Sequence, residues 1–97
     1  MTDDDAIRRV VIHGRVQGVG YRAWTERAAR QRGLRGWVRN RRDGTVEAVF
    51  AGAIEDVASM VEACRRGPTA SHIDHVDVAV GSAADLTGDG FTVLPTV

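Results

Sequence analysis

Residues 14–22, GRVQGVGYR, combine three glycines with an arginine directly after a run of β-forming residues. The backbone amides of such a bend can converge on one anion, and a helix that begins there adds partial positive charge. Arg22 would lie in the first turn of that helix, where a cation opposes the helix dipole at a cost of about 0.3–1 kcal/mol. A bound dianion reverses that sign, and the planar guanidinium matches phosphate. The stretch therefore predicts an anion site built from amides and Arg22.

Other interpretations of this stretch are a Walker A loop, a dinucleotide-binding turn and a connection without a ligand. A Walker A loop needs Gly-Lys-Ser/Thr, and the chain contains no lysine. Gly18, Gly20 and Ala23 satisfy the dinucleotide pattern G-x-G-x-x-G/A, but that fold needs a neighbouring parallel strand and a chain longer than 97 residues. A connection without a ligand, with Arg22 as a solvated helix residue, stays open on this stretch alone.

A second polar residue, Asn40, ends a predicted strand directly before the turn sequence RRDG. A helical crossover makes this strand parallel to the one before the glycine bend, so both should end at the same edge of the sheet. Asn40 is then expected near the bend and Arg22. An asparagine before a tight turn is commonly a turn former, and that alternative also stays open.

The elements that must position these residues follow from the apolar spacing and from the glycine and proline positions. Strands are predicted at residues 7–13, 35–40, 45–51, 72–80 and 91–95, with one helix at residues 21–32 and a second that Gly67-Pro68 terminates. The order β-α-β-β-α-β, with a short C-terminal strand, predicts an α+β sandwich of the ferredoxin-like split β-α-β type: an antiparallel sheet with two helices on one face. We expect one domain over residues 1–97, with residues 1–6 frayed.

Thirteen basic and thirteen acidic residues give the chain a net charge of zero. No overall field therefore draws it to nucleic acid or to a membrane, and no apolar run approaches membrane-spanning length. The single cysteine, Cys64, cannot form an internal disulfide, which fits a reducing compartment. The start, MTDDDAIRRV, lacks the apolar core of a signal peptide. We expect a cytoplasmic monomer without nucleic-acid or membrane partners.

Candidate metal ligands and nucleophiles are few. His13 ends the first predicted strand, while His72 and His75 lie three residues apart, which is poor spacing for two ligands on one strand face. No cluster in the sequence has the ligand count of a zinc site. Cys64 falls on the apolar stripe of the second helix, which favours a core position over a catalytic one. No metal and no cofactor are expected.

The stretches GRVQGVGYR and GWVRNRRDGTV, together with Gly52 and the Gly-Pro pair after the second helix, resemble the acylphosphatases, a family of small ferredoxin-like hydrolases. The resemblance covers essentially the whole chain, although Tyr21 stands where that family more usually has phenylalanine. It implies that Arg22 binds the substrate phosphate and that Asn40 holds the attacking water. It also implies phosphate binding by the backbone amides of six consecutive residues: Arg15, Val16, Gln17, Gly18, Val19 and Gly20.

The activity that the resemblance implies is hydrolysis of the carboxyl–phosphate bond of acyl phosphates, with inorganic phosphate as product and competitive inhibitor. The leaving carboxylate is the base of an acid with a pKa near about 4, so no general acid is needed. Phosphoryl transfer depends mainly on positioning and charge stabilisation, which fits a site without a nucleophile or a metal.

Two binding functions are alternatives to this activity. A non-catalytic phosphate- or carbamoyl-phosphate-binding module of ferredoxin-like fold would use the same anion site without turnover. An RNA-recognition domain shares the element order but needs exposed aromatic residues on its middle strands. The first predicted strand has no aromatic residue and the third has only Phe50, which disfavours RNA binding.

Overall fold

The computed structural model describes residues 5–97, in which two helices pack on one face of a five-stranded sheet. The elements are β1 (Asp5–Arg15), α1 (Tyr21–Gln31), β2 (Arg35–Asn40), β3 (Val46–Ala53), α2 (Ile54–Arg66), β4 (His72–Val80) and β5 (Phe91–Val93), with a short 3₁₀ helix at Ala83–Asp85. This order confirms the predicted β-α-β-β-α-β arrangement with a short final strand.

The strands lie in the order β4-β1-β3-β2-β5. β1 pairs antiparallel with β3 and β4, and β2 pairs antiparallel with β3, so β1 and β2 run parallel without being neighbours. The predicted antiparallel sheet is confirmed for β4, β1, β3 and β2, and the short strand β5 joins its edge parallel to β2, which makes the five-stranded sheet mixed. β4 ends beside the start of β1, so a chain that reverses after β4 must run in the direction of β1 and β2.

The first strand begins earlier than the sequence predicts. Asp5 pairs with Ala53 and Ala6 pairs with Gly52, and Ala6 is buried. The expectation that residues 1–6 fray is therefore wrong for these two residues, because β3 offers them a ladder partner. Residues 1–4 lie outside the described residues.

The core lies between the sheet and the helices. Alternate residues of β1 and β3 face it, including Val10, Ile12 and Phe50, all fully buried. On α1 the buried residues are Tyr21, Thr25, Ala28 and Ala29. The three-to-four spacing in the sequence instead favours Trp24 and Gln31 beside Tyr21 and Ala28, but Trp24 is half-buried and Gln31 is exposed. The buried stripe thus follows the i, i+4, i+7, i+8 pattern of a broad helix face.

Both helices end at the glycines that the sequence marks. Gly33 has a φ of 68°, and the Leu34 amide donates to the Ala29 carbonyl at 3.0 Å while Leu34 is buried. This closes α1 in the Schellman manner. Gly67, with a φ of 65°, ends α2.

The opposite face of the sheet holds a buried carboxylate. Glu47 on β3 is 2% exposed and forms ion pairs with Arg9 on β1 and Arg39 on β2. Beside it, the Trp37 indole donates to the Asp85 carbonyl at 2.6 Å, which draws the segment between β4 and β5 across this face. The two ion pairs of Glu47 cross-link three strands, β1, β3 and β2.

Candidate active site

Residues 15–20, termed the glycine loop, run from the last residue of β1 to the residue before α1. Gly18 and Gly20 have φ values of 74° and 81°, whereas no described residue other than glycine has a positive φ. A backbone whose successive residues alternate between negative and positive φ values turns its amides toward one concave side. Within residues 5–97 the amides of residues 16–20 donate no hydrogen bond to a carbonyl or a side chain. The loop thus offers five consecutive unused donors.

Arg22 is the second residue of α1 and is half-buried. The first turn of α1 carries no acidic side chain, and Gly20 at its N-cap supplies no side-chain hydrogen bond. In α2, by contrast, Glu55 and Asp56 lie in the first turn, where they complement the helix dipole. No hydrogen bond or ion pair engages the Arg22 guanidinium in the described part of the chain. Its charge is therefore available to an anion at the N-terminus of α1.

Asn40 is the last residue of β2, where it pairs with Val46 of β3. Its side chain is on the helix-facing side of the sheet, and the residue is only 9% exposed. The buried Oδ1 atom accepts no hydrogen bond from any group in residues 5–97. An unused acceptor at this depth costs free energy unless a ligand or a water satisfies it. The Asn40 carbonyl, in contrast, accepts the Val97 amide at 3.1 Å.

One pocket of about 390 Å³ brings these groups together. It lies between the glycine loop, the first two turns of α1 and the edge formed by β2 and β5, and both Arg22 and Asn40 line it. The parallel course of β1 and β2 explains why the two motifs meet, since the glycine loop and Asn40 both follow carboxyl ends at one edge of the sheet.

The six predicted loop residues differ in their contribution to the pocket. Val16, Gly18 and Gly20 line it. Arg15 belongs to β1 and pairs with His72, which places it at the entrance of the loop. Val19 packs against the hydrophobic core and anchors the loop to it. Gln17 has a different contact, toward the turn that follows Asn40.

The Gln17 side chain joins the glycine loop to the β2–β3 turn. Its Nε2 donates to the Arg41 carbonyl at 2.7 Å and to the Thr45 carbonyl at 2.9 Å. The turn is braced internally by Asp43, whose Oδ1 accepts both the hydroxyl and the amide of Thr45. These hydrogen bonds, chiefly the one from the hydroxyl, hold the pKa of Asp43 below its usual range. Gln17 therefore fixes the distance between the loop and Asn40.

The sequence alone indicates only a backbone role for Gln17. The available signal is an amide side chain in a bend that is otherwise glycine and valine. A glutamine can use both amide hydrogens on one pair of carbonyls, but its partners are identifiable only once the turn lies beside the loop.

Tyr21 ties α1 to α2 below the pocket. Its hydroxyl donates to the Cys64 carbonyl at 2.8 Å, and burial raises the pKa of the phenol far above its usual value. Cys64 is fully buried, and that burial raises the pKa of its thiol to about 12. A thiol of this kind is protonated at neutral pH and is not a nucleophile. Cys64 is thus a core residue, as the apolar stripe predicts.

The histidines lie away from this pocket. His13 on β1 and His75 on β4 both contact the Asp77 carboxylate, and these hydrogen bonds, from His75 first and then His13, hold the pKa of Asp77 below its usual range. All three side chains are substantially exposed to solvent. Within residues 5–97, no three His, Cys, Asp or Glu side chains are grouped closely enough to hold a metal ion. Neither helix of the described chain has the length and apolar character needed to cross a membrane.

Known proteins resemble the chain over nearly its whole length. The profile of the family described as Acylphosphatase matches residues 8–93. An acylphosphatase of Bradyrhizobium diazoefficiens is 57% identical over 96 residues, which cover 95% of this chain and 97% of that protein. Among solved structures, the acylphosphatase from Bacillus subtilis is 36% identical with a TM-score of 0.83, over 91% of this chain and 97% of its own. That from Coxiella burnetii is 27% identical with a TM-score of 0.87, over 97% of this chain and 100% of its own.

The family profile spans most of the chain, and a relative more than half identical matches it almost from end to end. The folds also agree over nearly the whole chain, with TM-scores of 0.87 and 0.83. The chain belongs to the acylphosphatase family.

Proposed function

We propose that this protein is an acylphosphatase, which hydrolyses the carboxyl–phosphate bond of acyl phosphates to a carboxylate and inorganic phosphate. The observation that carries the proposal is the buried, unpartnered Oδ1 of Asn40 in the same pocket as Arg22. An anion-binding pocket needs the arginine and the amides. A hydrolytic one needs, in addition, an acceptor that holds water beside the anion.

The glycine loop and Arg22 bind the phosphate in this proposal. The unused amides of residues 16–20 supply donors for its oxygens, and the N-terminus of α1 adds positive potential. Arg22 can donate two parallel hydrogen bonds to a pair of phosphate oxygens. Charge that develops on those oxygens in the transition state is then stabilised by donors that are already in place.

Asn40 positions the attacking water. Its Oδ1 accepts one hydrogen of the water, which directs an oxygen lone pair at phosphorus from the floor of the pocket. Attack in line with the phosphorus–oxygen bond expels the carboxylate on the opposite side. The water's second proton passes to an oxygen of the substrate phosphate itself, because Glu26, the one carboxylate of the described residues that lines the pocket, is partly exposed and paired with Arg30, away from the buried Asn40.

The leaving group explains why so small a set of residues suffices. A carboxylate departs without protonation because its conjugate acid has a pKa near about 4. The reaction therefore requires neither a general acid, nor a covalent nucleophile, nor a metal or other cofactor. A phosphate monoester would release an alkoxide instead, so monoesters should be poor substrates.

A non-catalytic phosphate- or carbamoyl-phosphate-binding module is not favoured. Relatives that are 54–57% identical over more than nine-tenths of the chain are named acylphosphatases, and mere anion binding gives the buried acceptor of Asn40 no task. The proposal includes a cytoplasmic monomer that acts on a small molecule and has no nucleic-acid or membrane partner. The net charge of zero supports the absence of nucleic-acid and membrane partners.

The test is turnover of benzoyl phosphate by the purified protein, with and without a chelator. We expect equal rates in both conditions, competitive inhibition by inorganic phosphate, and little activity on a phosphate monoester. Loss of activity with the chelator and recovery with magnesium or zinc would refute metal independence. Binding of inorganic phosphate without any hydrolysis would instead establish the binding-module alternative.

A further inference from the structure

The pocket carries a carboxylate that the phosphate site does not need. Glu26 lies four residues after Arg22 on α1, so the two side chains are neighbours on one side of the helix, and both line the pocket. A negative charge beside a dianion site is unfavourable unless it faces another part of the substrate or is neutralised. The surroundings of Glu26 distinguish these possibilities.

Exposure divides the pocket lining into a floor and a rim. Val16, Tyr21 and Asn40 are buried and form the floor. Ala23 and Val93 are exposed, and the Glu26 side chain is 31% exposed, so these three form the side-chain part of the rim. Because water at Asn40 attacks from the floor, an in-line leaving group must point toward the rim. The acyl group of the substrate therefore meets Ala23, Val93 and Glu26.

Arg30 holds Glu26 in this rim. Its Nη2 lies 3.0 Å from Oε2 of Glu26 and donates to the Phe91 carbonyl, also at 3.0 Å. Phe91 begins β5, the strand that carries Val93. One guanidinium thus joins the charged and apolar sides of the rim. Arg30 lies one turn after Glu26 on α1, whereas Arg22 lies one turn before it. The Arg30 side chain is 61% exposed, so water screens the ion pair and Arg30 offsets the negative charge of Glu26 only in part.

We propose that Ala23, Val93 and Glu26 form the acyl-group subsite, and that Glu26 makes it prefer acyl phosphates with an uncharged or cationic acyl group over those with a second carboxylate. The two small apolar side chains receive the body of the acyl group. A distal carboxylate would lie beside Glu26 in a partly solvated site, where like-charge repulsion lowers kcat/KM by about three- to tenfold. This inference rests on the proposed function, since it assumes that acyl phosphates are turned over.

The experiment compares three rigid substrates: benzoyl phosphate and its para-carboxylate and para-trimethylammonium derivatives. The quantity measured is the ratio of kcat/KM for each charged substrate to that for benzoyl phosphate. The variants are Glu26→Gln and, as a matched control, Glu62→Gln, which removes the same charge from α2 outside this pocket. Because each ratio is compared between variants, differences in intrinsic leaving-group reactivity cancel.

Glu26→Gln should raise the relative kcat/KM for the carboxylate substrate by about three- to tenfold and lower it for the cationic substrate, while Glu62→Gln leaves both unchanged. In the unmodified protein, added salt should bring the kcat/KM of both charged substrates closer to that of benzoyl phosphate, because salt screens their interaction with Glu26. This measurement does not depend on the folding of a variant. The proposed subsite would be overturned if the kcat/KM ratios did not change with salt and were equal in the unmodified protein, Glu26→Gln and Glu62→Gln. Absence of benzoyl phosphate turnover in the unmodified protein would instead overturn the proposed function.

Discussion

Arg22 and Asn40 line one pocket but face different parts of the reaction. The Arg22 guanidinium stands at the positive end of α1 beside the unused loop amides, where a phosphate would contact it before and during the reaction. Asn40 lies on the buried floor, and its free acceptor suits a water more than an anion. At the residue scale, the proposed reaction therefore assigns phosphate binding to Arg22 and positioning of the water to Asn40.

Substitution of the two residues should separate these roles. Arg22→Ala should weaken phosphate binding and nearly abolish turnover, because in the proposed reaction the guanidinium contacts the phosphate in both the ground and transition states. Asn40→Ala should leave phosphate affinity within a few-fold, while turnover falls on the order of 10²–10³. Titration with inorganic phosphate and benzoyl phosphate kinetics measure the two effects. Arg27→Ala, exposed on the same helix, is the control and should match the unmodified protein. Near-normal turnover of Asn40→Ala would leave Asn40 as a turn residue only.

Also at the residue scale, substitution of Tyr21 tests whether its hydroxyl stabilises the fold or takes part in the reaction. Tyr21→Phe removes the hydroxyl that donates to the Cys64 carbonyl and leaves that carbonyl without its partner. We expect the free energy of unfolding to fall by about 1–2 kcal/mol with kcat unchanged. Chemical denaturation and acyl phosphate kinetics on the same samples check both parts. A large loss of kcat in a fully folded variant would show that Tyr21 takes part in the reaction.

At the element scale, the glycine loop is the structure to which we assign phosphate binding. Gly18 and Gly20 adopt positive φ values while the surrounding valines and glutamine do not, and this alternation frees the amides. Gln17 then fixes the loop against the turn after Asn40 through two carbonyls. The geometry of the pocket therefore depends on how the glycine loop lies against the β2–β3 turn.

A pair of glycine substitutions separates backbone strain from function. Gly20 and Gly33 have similar φ values, 81° and 68°, and an added methyl group would meet no atom within 4 Å at either position. Each Gly→Ala change should therefore cost about 1 kcal/mol of stability through backbone strain alone. Only Gly20→Ala should also impair phosphate binding, because relaxation of its backbone redirects the loop amides. Thermal melting and phosphate titration provide the comparison. Equal phosphate affinity in the two variants would contradict the loop's role.

Much of this arrangement could be predicted from local sequence, because glycine, proline and alternating valines determine where elements begin and end. Gly33-Leu34 and Gly67-Pro68 end their helices as predicted, and the crossover rule brings Asn40 to the same edge as the loop. The pairing of β5 with β2 could not be predicted, since residues 81–90 have no periodicity that shows whether the chain reverses or which strand it then joins. The contacts of Gln17 also depend on two segments that are distant in sequence and adjacent only in the fold.

At the scale of the whole molecule, the pocket is built on a sheet whose face away from the helices carries the buried carboxylate of Glu47. Burial alone would raise the pKa of this carboxyl, but hydrogen bonds from Arg9 and Arg39 outweigh burial and hold the pKa below its usual range. A carboxylate whose pKa is lowered by folding stabilises the fold above its unfolded pKa. That contribution is lost as pH falls through the folded value.

The stability of the sheet should therefore depend on pH through Glu47. Glu47→Gln should lower the free energy of unfolding by about 1–3 kcal/mol near neutral pH, because two arginines lose their shared partner. The difference from the unmodified protein should shrink at acidic pH, because the native carboxyl loses its charge as pH falls through its lowered pKa. Glu62→Gln, which removes an exposed carboxylate on α2, is the matched control. A deficit that is the same at both pH values would show that the carboxylate charge is not the stabilising feature.

In the proposed reaction, water held at the floor of the pocket attacks phosphorus. Hydrolysis of benzoyl phosphate in water enriched in the heavy oxygen isotope tests it most directly, because mass spectrometry then locates the new oxygen. We predict that all enzyme-dependent turnover places the heavy oxygen in inorganic phosphate and none in benzoate. Heavy oxygen in the benzoate would show attack at the carbonyl carbon, and it would contradict the proposed roles of the glycine loop, Arg22 and Asn40.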